Sequence, residues 1–272
     1  MTTASPRQIT GNTRIFGIVA DPIYHVKTPQ AINAGFERLG IDAVMIPIHV
    51  KPAGLAAVLA GLAQTENFGG LVATVPHKPA ILDLCDEVTE EARHIGAVNC
   101  IRRDPDGRMI GAMLDGTGFV EALKTVTGFD PNGRRAFVAG AGGAASAIAF
   151  ALAKAGAAHL TIANRTADKA EALGERIRAA YPALTISTDP STVADHDLIA
   201  NGTSLGMKET DAPPLDFDRL HKDQVVGDAI MEPEMTPLLK AAKAKGCRIQ
   251  LGKPMLDCQI DLMIEHFNVL PK

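Results

Sequence analysis

Short apolar runs alternate with amphipathic stretches along almost the whole chain, the pattern of strands laid between helices. Residues 14–20 (Arg-Ile-Phe-Gly-Ile-Val-Ala) read as a strand, 29–39 as an amphipathic helix and 43–50 as a second strand. Pro47 inside that second run cannot donate to a ladder, which predicts an edge position. A helix over 55–62, a strand over 70–76 and two short helices over 78–85 and 89–95 follow. Residues 97–103 and 108–113 flank Pro105-Asp-Gly107 and predict a hairpin. The run Asp115-Gly116-Thr117-Gly118 interrupts the pattern before a helix over 119–125, and it is the candidate hinge between two domains. Beyond it come strands over 135–139, 159–163, 198–200 and 224–228, a helix over 144–155, and a last helix over 255–267. Strands alternating with helices predict α/β architecture with parallel sheets covered by helices.

The segment from Phe137 to Ser146 carries chemistry as well as pattern. Gly140, Gly142 and Ala145 form the G-x-G-x-x-A spacing, placed between a buried strand and an Ala-rich helix. That spacing allows a tight turn, a close backbone approach to a pyrophosphate, and a helix seated near its sheet, with Gly143 and Ala144 at the helix start. Gly156 then ends the helix as a C-cap. The second strand of the unit ends at Asn164-Arg165-Thr166, with Lys169 a turn later. A dinucleotide with a free ribose 2′-hydroxyl favours a carboxylate there. A neutral residue followed by cations favours a 2′-phosphate, so NADP is the predicted cofactor.

Composition narrows the remaining classes. The chain has 272 residues, 46% apolar and 21% charged, which is ordinary for globular domains. A formal net charge of −4 predicts no nucleic-acid partner. No apolar run reaches the ~20 residues of a bilayer span, and the N-terminus lacks the apolar core of a signal peptide. A cytoplasmic protein with no membrane contact is expected. Cys85, Cys100, Cys247 and Cys258 are scattered and read as packing residues, and the histidines show no ligand spacing, so no metal is expected.

A nicotinamide cofactor implies hydride transfer, and an alcohol substrate then needs a group to move the hydroxyl proton. Lys78, just past the strand end Val75-Pro76, is a candidate, with Asp115 as the carboxylate that would orient it. On spacing alone, a solvated surface lysine is the weightier reading of Lys78. A series of landmarks changes that balance. In order they are Asp21-Pro-Ile-Tyr-His25 with Lys27-Thr28-Pro29, Thr74-Val-Pro-His-Lys78, Gly96-Ala-Val-Asn99, Asp115-Gly116 with Gly118, Gly140-Ala-Gly-Gly-Ala144, Asn164-Arg-Thr166, Asn201-Gly-Thr-Ser-Leu-Gly206, Thr236-Pro237-Leu238, and Met255-Leu256 with Gln259. With these the chain resembles the shikimate dehydrogenase family from end to end.

The resemblance implies two domains. Residues 1–115, completed by 250–272, form an α/β substrate domain, and residues 116–249 form an NADP-binding Rossmann domain. It implies that Lys78 and Asp115 act as a proton-transfer pair, and that Thr28, Thr74, Asn99 and Gln259 bind substrate. Gly140, Gly142, Gly143, Ala144, Asn164, Arg165, Thr166, Lys169, Thr203, Gly252 and Met255 are implied on the cofactor side. The implied substrate is a shikimate- or quinate-like cyclic hydroxy acid, turned over by a monomer or homodimer.

Four departures stand beside these matches. Val26 replaces a serine of the family's carboxylate-binding loop, Val72 an asparagine, Leu114 a polar residue before the aspartate, and Met231 a tyrosine. Each substrate hydroxyl stripped of water without a new partner costs roughly 1–3 kcal/mol, about one to two decades in affinity. Weak shikimate or quinate activity and a less polar true substrate are therefore expected. The rivals are a plain shikimate dehydrogenase of aromatic amino-acid biosynthesis and a non-catalytic NADP-binding module. A methylene-folate type dehydrogenase fits the Asn164 and Asn201 landmarks less well.

Overall fold

The structure, a computed structural model, describes residues 8–24 and 26–270; His25 of the first landmark and residues 1–7, on which the signal-peptide reading rests, lie outside them. The chain divides into two compact units. Of the described residues, one comprises 8–24, 26–89, 98–112 and 263–270, the other 90–97 and 113–262. The boundaries expected from the sequence were 115/116 and 249/250.

The first unit runs β1 (Arg14–Ala20), α1 (Thr28–Arg38), β2 (Ala43–His49), α2 (Leu55–Ala63), β3 (Phe68–Ala73), α3 (Lys78–Leu82) and β4 (Glu87–Val88). The chain then makes α4 (Glu90–Ile95), which belongs to the second unit, and returns for β5 (Cys100–Arg103) and β6 (Met109–Ala112). Its six strands lie in the order β2-β1-β3-β5-β6-β4. β2 is an edge strand, which is where Pro47 can be tolerated. The sheet is mixed rather than wholly parallel: β1 runs parallel to β2 and β3, while β5 is antiparallel to both β3 and β6. The predicted hairpin around Pro105-Asp-Gly107 joins the antiparallel β5 and β6, while the chain through α3, β4 and α4 brings β5 in reversed against β3. Phe16 centres the core, with ring centroids 5.2 Å from Phe36 and 4.6 Å from Phe267.

The second unit contains α5 (Asp115–Ala122), β7 (Arg135–Ala139), α6 (Gly143–Lys154), β8 (His159–Ala163), α7 (Ala167–Ala180), β9 (Thr185–Ser187), β10 (Leu198–Asn201), β11 (Val225–Asp228), α8 (Pro237–Ala244), β12 (Arg248–Gln250) and most of α9 (Gly252–His266). Its strand order is β12-β11-β10-β7-β8-β9, all parallel. Counted within the unit this is 6-5-4-1-2-3, the doubly wound order of a dinucleotide fold. The strands are buried on both faces, as the unbroken apolar runs predict. The short strands β4, β9 and β12 have too few apolar positions to show a period, and sequence pattern missed them.

One local expectation fails. The helix expected from Phe119 starts earlier, with Asp115 to Gly118 as the first turn of α5, just after the break between the two units at 112/113. Its glycines serve close packing: a Cβ on Gly116 would fall on the carbonyl oxygen of Ala147 in α6. The Ala-rich face of α6 meets this helix as well as the sheet. Residues 90–97 join the same unit through a Lys154–Glu91 ion pair and through Arg176, which donates to the carbonyls of His94 and Ile95 at 3.3 and 3.0 Å.

Candidate active site

The predicted residues of the first unit gather at one rim of its sheet. β1 and β3 are parallel, so their carboxyl ends share an edge, and Thr74 follows β3 there, its N–H donating to the Val19 carbonyl at 3.1 Å. Lys78 opens α3 directly afterwards, half-buried, and its carbonyl accepts from Val98 N–H at 2.9 Å. Asn99 precedes the antiparallel β5 and so reaches the same edge from the opposite direction. Its carbonyl accepts from Ala73 N–H at 2.8 Å, and it is buried. Thr28, the first residue of α1, is also buried after the loop that leaves β1. Val72 lies one pleat below this rim, buried and in register with Cys100.

His77, beside Lys78 in the second landmark, has a structural role. It is buried, and its Nε2–H donates to the Val50 carbonyl at 2.8 Å, tying the start of α3 to the end of β2. Nothing in a single histidine beside a lysine signals this, because Val50 is distant in sequence.

In the second unit the predicted cofactor residues follow the carboxyl ends of β7, β8, β10 and β12. Gly140 has φ +109°, which a side chain would strain, and Gly142 caps α6 in an extended conformation. A Cβ on Gly142 or Gly143 would meet nothing within 4 Å, so the helix N-terminus opens onto free space where main-chain N–H groups could receive a pyrophosphate. β10 and β8 flank β7 on opposite sides, making this the topological switch point where such folds bind ligands. Arg165 and Lys169 are exposed beyond β8, free of burial cost, in the place a 2′-phosphate needs. Asn164 has a local role, its Nδ2 donating to the Thr166 carbonyl at 2.9 Å. These residues fit an NADP molecule.

Asp115 and Gln259 are both buried in this unit. A Cβ on Gly118 would strike Cγ of Gln259 and lie 2.8 Å from the Met255 carbonyl oxygen, so the first turn of α5 rests directly on α9. Gly252 begins α9 pressed on Ile230, whose carbonyl a Cβ there would overlap. Met231 is exposed.

A buried polar cluster was not anticipated. Asp228, at the end of β11, accepts from Asn201 Nδ2, Ile230 N–H and Thr236 Oγ1. Burial pushes its carboxyl above the usual carboxylate range, opposed by those hydrogen bonds. The available signal was polar residues ending two otherwise apolar strands. Elsewhere the cysteines pack as expected: burial pushes the Cys85 thiol up to about 12 and holds Cys100 well above its ordinary value. Among the described residues no cluster of metal-ligating side chains is present, and no helix is long and apolar enough to cross a membrane.

The fold and both rims have relatives. Residues 18–101 match the shikimate dehydrogenase substrate binding domain, and residues 121–208 match shikimate / quinate 5-dehydrogenase. Shikimate dehydrogenase (NADP(+)) of Geobacter metallireducens is 40% identical over 258 residues, covering 92% of this chain and 90% of its own. The chain belongs to the shikimate dehydrogenase family. Among solved structures of shikimate dehydrogenases, that of Thermus thermophilus in complex with NADP(H) and shikimate is 32% identical, covers 96% of this chain and 95% of its own, and superposes with a TM-score of 0.85. The 5-ketofructose reductase of Gluconobacter sp. strain CHM43 is similar to the same degree: 39% identity, 94% and 92% coverage, TM-score 0.85. Membership of the family therefore does not select one substrate.

Proposed function

We propose that Lys78 and Asp115 form the proton-transfer pair of this shikimate dehydrogenase-like enzyme. The chain is an oxidoreductase acting on a CH–OH group, with NADP as its cofactor. Bound NADP supplies the hydride acceptor, and NADPH the donor. Lys78 takes the hydroxyl proton as the carbonyl forms, and returns it in the reverse direction. Asp115 orients the ammonium group and balances its charge. Thr28, Thr74, Asn99 and Gln259 hold the substrate. Gly140, Gly142, Gly143, Ala144 and Thr203 would seat the dinucleotide backbone, Arg165 and Lys169 the 2′-phosphate, and Gly252 and Met255 the nicotinamide side. The observation that carries this reading is the shared rim of Thr74, Lys78 and Asn99 at the carboxyl ends of β1 and β3, reached by β5 only because β5 is reversed.

For the substrate, a shikimate- or quinate-like cyclic hydroxy acid is the first reading, bound weakly because Val26, Val72, Leu114 and Met231 offer no hydrogen bonds from their side chains. A neutral keto-sugar is the second. It is favoured by Val26, which removes a hydroxyl from the loop where relatives grip a carboxylate, together with the 39% match to a 5-ketofructose reductase.

The test is nicotinamide absorbance with purified protein, offering shikimate and quinate with NADP and 5-ketofructose with NADPH, and Lys78→Ala as the blank. Loss of about 100-fold or more in kcat for Lys78→Ala, with cofactor binding unchanged, is expected. A Lys78→Ala variant with wild-type kcat refutes the proton-transfer assignment. Shikimate KM in the micromolar range with fast turnover refutes the altered pocket.

A further inference from the structure

We infer that Asp228 is a positioning residue for the cofactor: it fixes the loop 201–206 against the dinucleotide turn without touching the cofactor itself. This rests on the assignment of Gly140 and Thr203 to the NADP site.

Asp228 ends β11 beside Asn201, which ends β10, and the two are direct partners in the parallel register. The Asp228 carboxylate is fully buried and satisfied by three neutral donors. Oδ1 accepts from Asn201 Nδ2 at 3.1 Å and Ile230 N–H at 3.0 Å, and Oδ2 accepts from Thr236 Oγ1 at 2.7 Å. A buried carboxylate is costly unless every lone pair is engaged, so its retention here needs a reason.

The reason lies along the hydrogen bonds that lead away from it. Asn201 Nδ2 also donates to the Leu205 carbonyl at 3.2 Å, while Asn201 Oδ1 accepts from both the N–H and the hydroxyl of Thr203, at 3.0 and 2.7 Å. Thr203 Oγ1 in turn accepts from Leu205 N–H at 3.0 Å. With both ends of its amide group committed, Asn201 cannot flip, and Asp228 is the anchor that sets which end faces which way. The folded loop then meets the fingerprint turn at two points. A Cβ on Gly140 would lie 2.9 Å from Thr203 Cγ2, and one on Gly202 would lie 2.5 Å from the Ala145 Cα. The same carboxylate, through Thr236, engages the N-cap of α8, where Thr236 Oγ1 accepts from Leu239 N–H at 3.3 Å. Asp228 thus links two neighbouring structures, the 201–206 loop and the N-terminus of α8, which meet where a Cβ on Gly206 would lie 3.6 Å from Thr236 Cβ, and mutation at Thr236 cuts the second link without removing the first.

The experiment compares Asp228→Ala, Asp228→Asn and Thr236→Val in the full chain, by fluorescence titration with NADPH, thermal melting, and amide hydrogen exchange of residues 202–206. Asp228→Ala is expected to raise the NADPH Kd tenfold or more and to speed exchange in the loop. Asp228→Asn keeps an oxygen for Asn201 and Ile230 and stays within threefold of wild type. Thr236→Val lowers the melting temperature by disturbing α8, yet leaves the Kd within threefold. An unchanged Kd and unchanged loop exchange in Asp228→Ala overturn the inference. So does a Thr236→Val variant that weakens NADPH as much as Asp228→Ala, since the role is then only structural. Should Asp228→Ala fail to fold, Asn201→Ala cuts the same connection one step nearer the cofactor, and a wild-type Kd there overturns it equally. If the wild-type protein binds no NADPH, the cofactor-site assignment fails. Loop exchange in Asp228→Ala then decides the positioning role by itself.

Discussion

At the proposed cofactor edge of the second unit stand Gly140 and Gly202, whose N–H groups bond the Ala163 and Ala139 carbonyls and whose part is the lack of a Cβ, and Gly142 and Gly143, which open the start of α6 to main-chain contacts. At the proposed substrate rim of the first unit stand Thr28, Thr74, Lys78 and Asn99, which act through side chains carried on strand ends and helix starts. The two edges are built from the same α/β elements. They differ in what evolution can vary. A backbone site tolerates almost no change, because a methyl group added at Gly202 runs into the main chain of α6. A side-chain site can be rewritten one residue at a time without disturbing its sheet.

The sharpest way to break this contrast is at Gly202. Gly202→Val is expected to weaken NADPH binding about 100-fold, since overpacking against backbone displaces the loop. Hydrogen exchange in the first unit should remain as in the wild type. Loss of protection there instead would show that the cofactor edge is not an independent construction. A smaller effect is expected at Arg165, the one cofactor contact that depends on a charged side chain with a planar fork. Arg165→Ala should cost about 10- to 30-fold in NADP affinity through the lost charged hydrogen bonds, and less than twofold for NAD. Equal losses for both would mean that the exposed guanidinium does not read the 2′-phosphate. The smallest change is expected where the substrate rim is adaptable. Val72→Asn and Leu114→Thr should each raise kcat/KM for shikimate about tenfold, by returning a partner to one hydroxyl. If neither helps, those two positions do not face substrate.

This difference between backbone and side-chain sites also governs what could be seen in the sequence. The G-x-G-x-x-A turn was legible because three constraints on small residues fall within six positions and are framed by two apolar runs. The preference for NADP was legible for a similar reason, as the cation follows the strand directly. On the substrate side, Lys78 alone looked like a surface lysine, and only the ordered series of landmarks raised it to a candidate. The start of α5 at Asp115 was missed because glycine is ambiguous: Gly116 and Gly118 permit close helix packing here, and a linear pattern reads them as a break in the helix. The anchoring of His77 on Val50, and of Asn201 on Asp228, arises between residues far apart in the chain. No local period records such pairs, since their partners are chosen by strand order and register.

The core of the first unit is closed by Phe267, the last aromatic residue of the sequence, packed on Phe16 and against Gly70. During synthesis this has a temporal consequence. The substrate sheet, made earlier, lacks the ring that completes its interior until Phe267 has left the ribosome. The half of the molecule translated first is thus the one finished last.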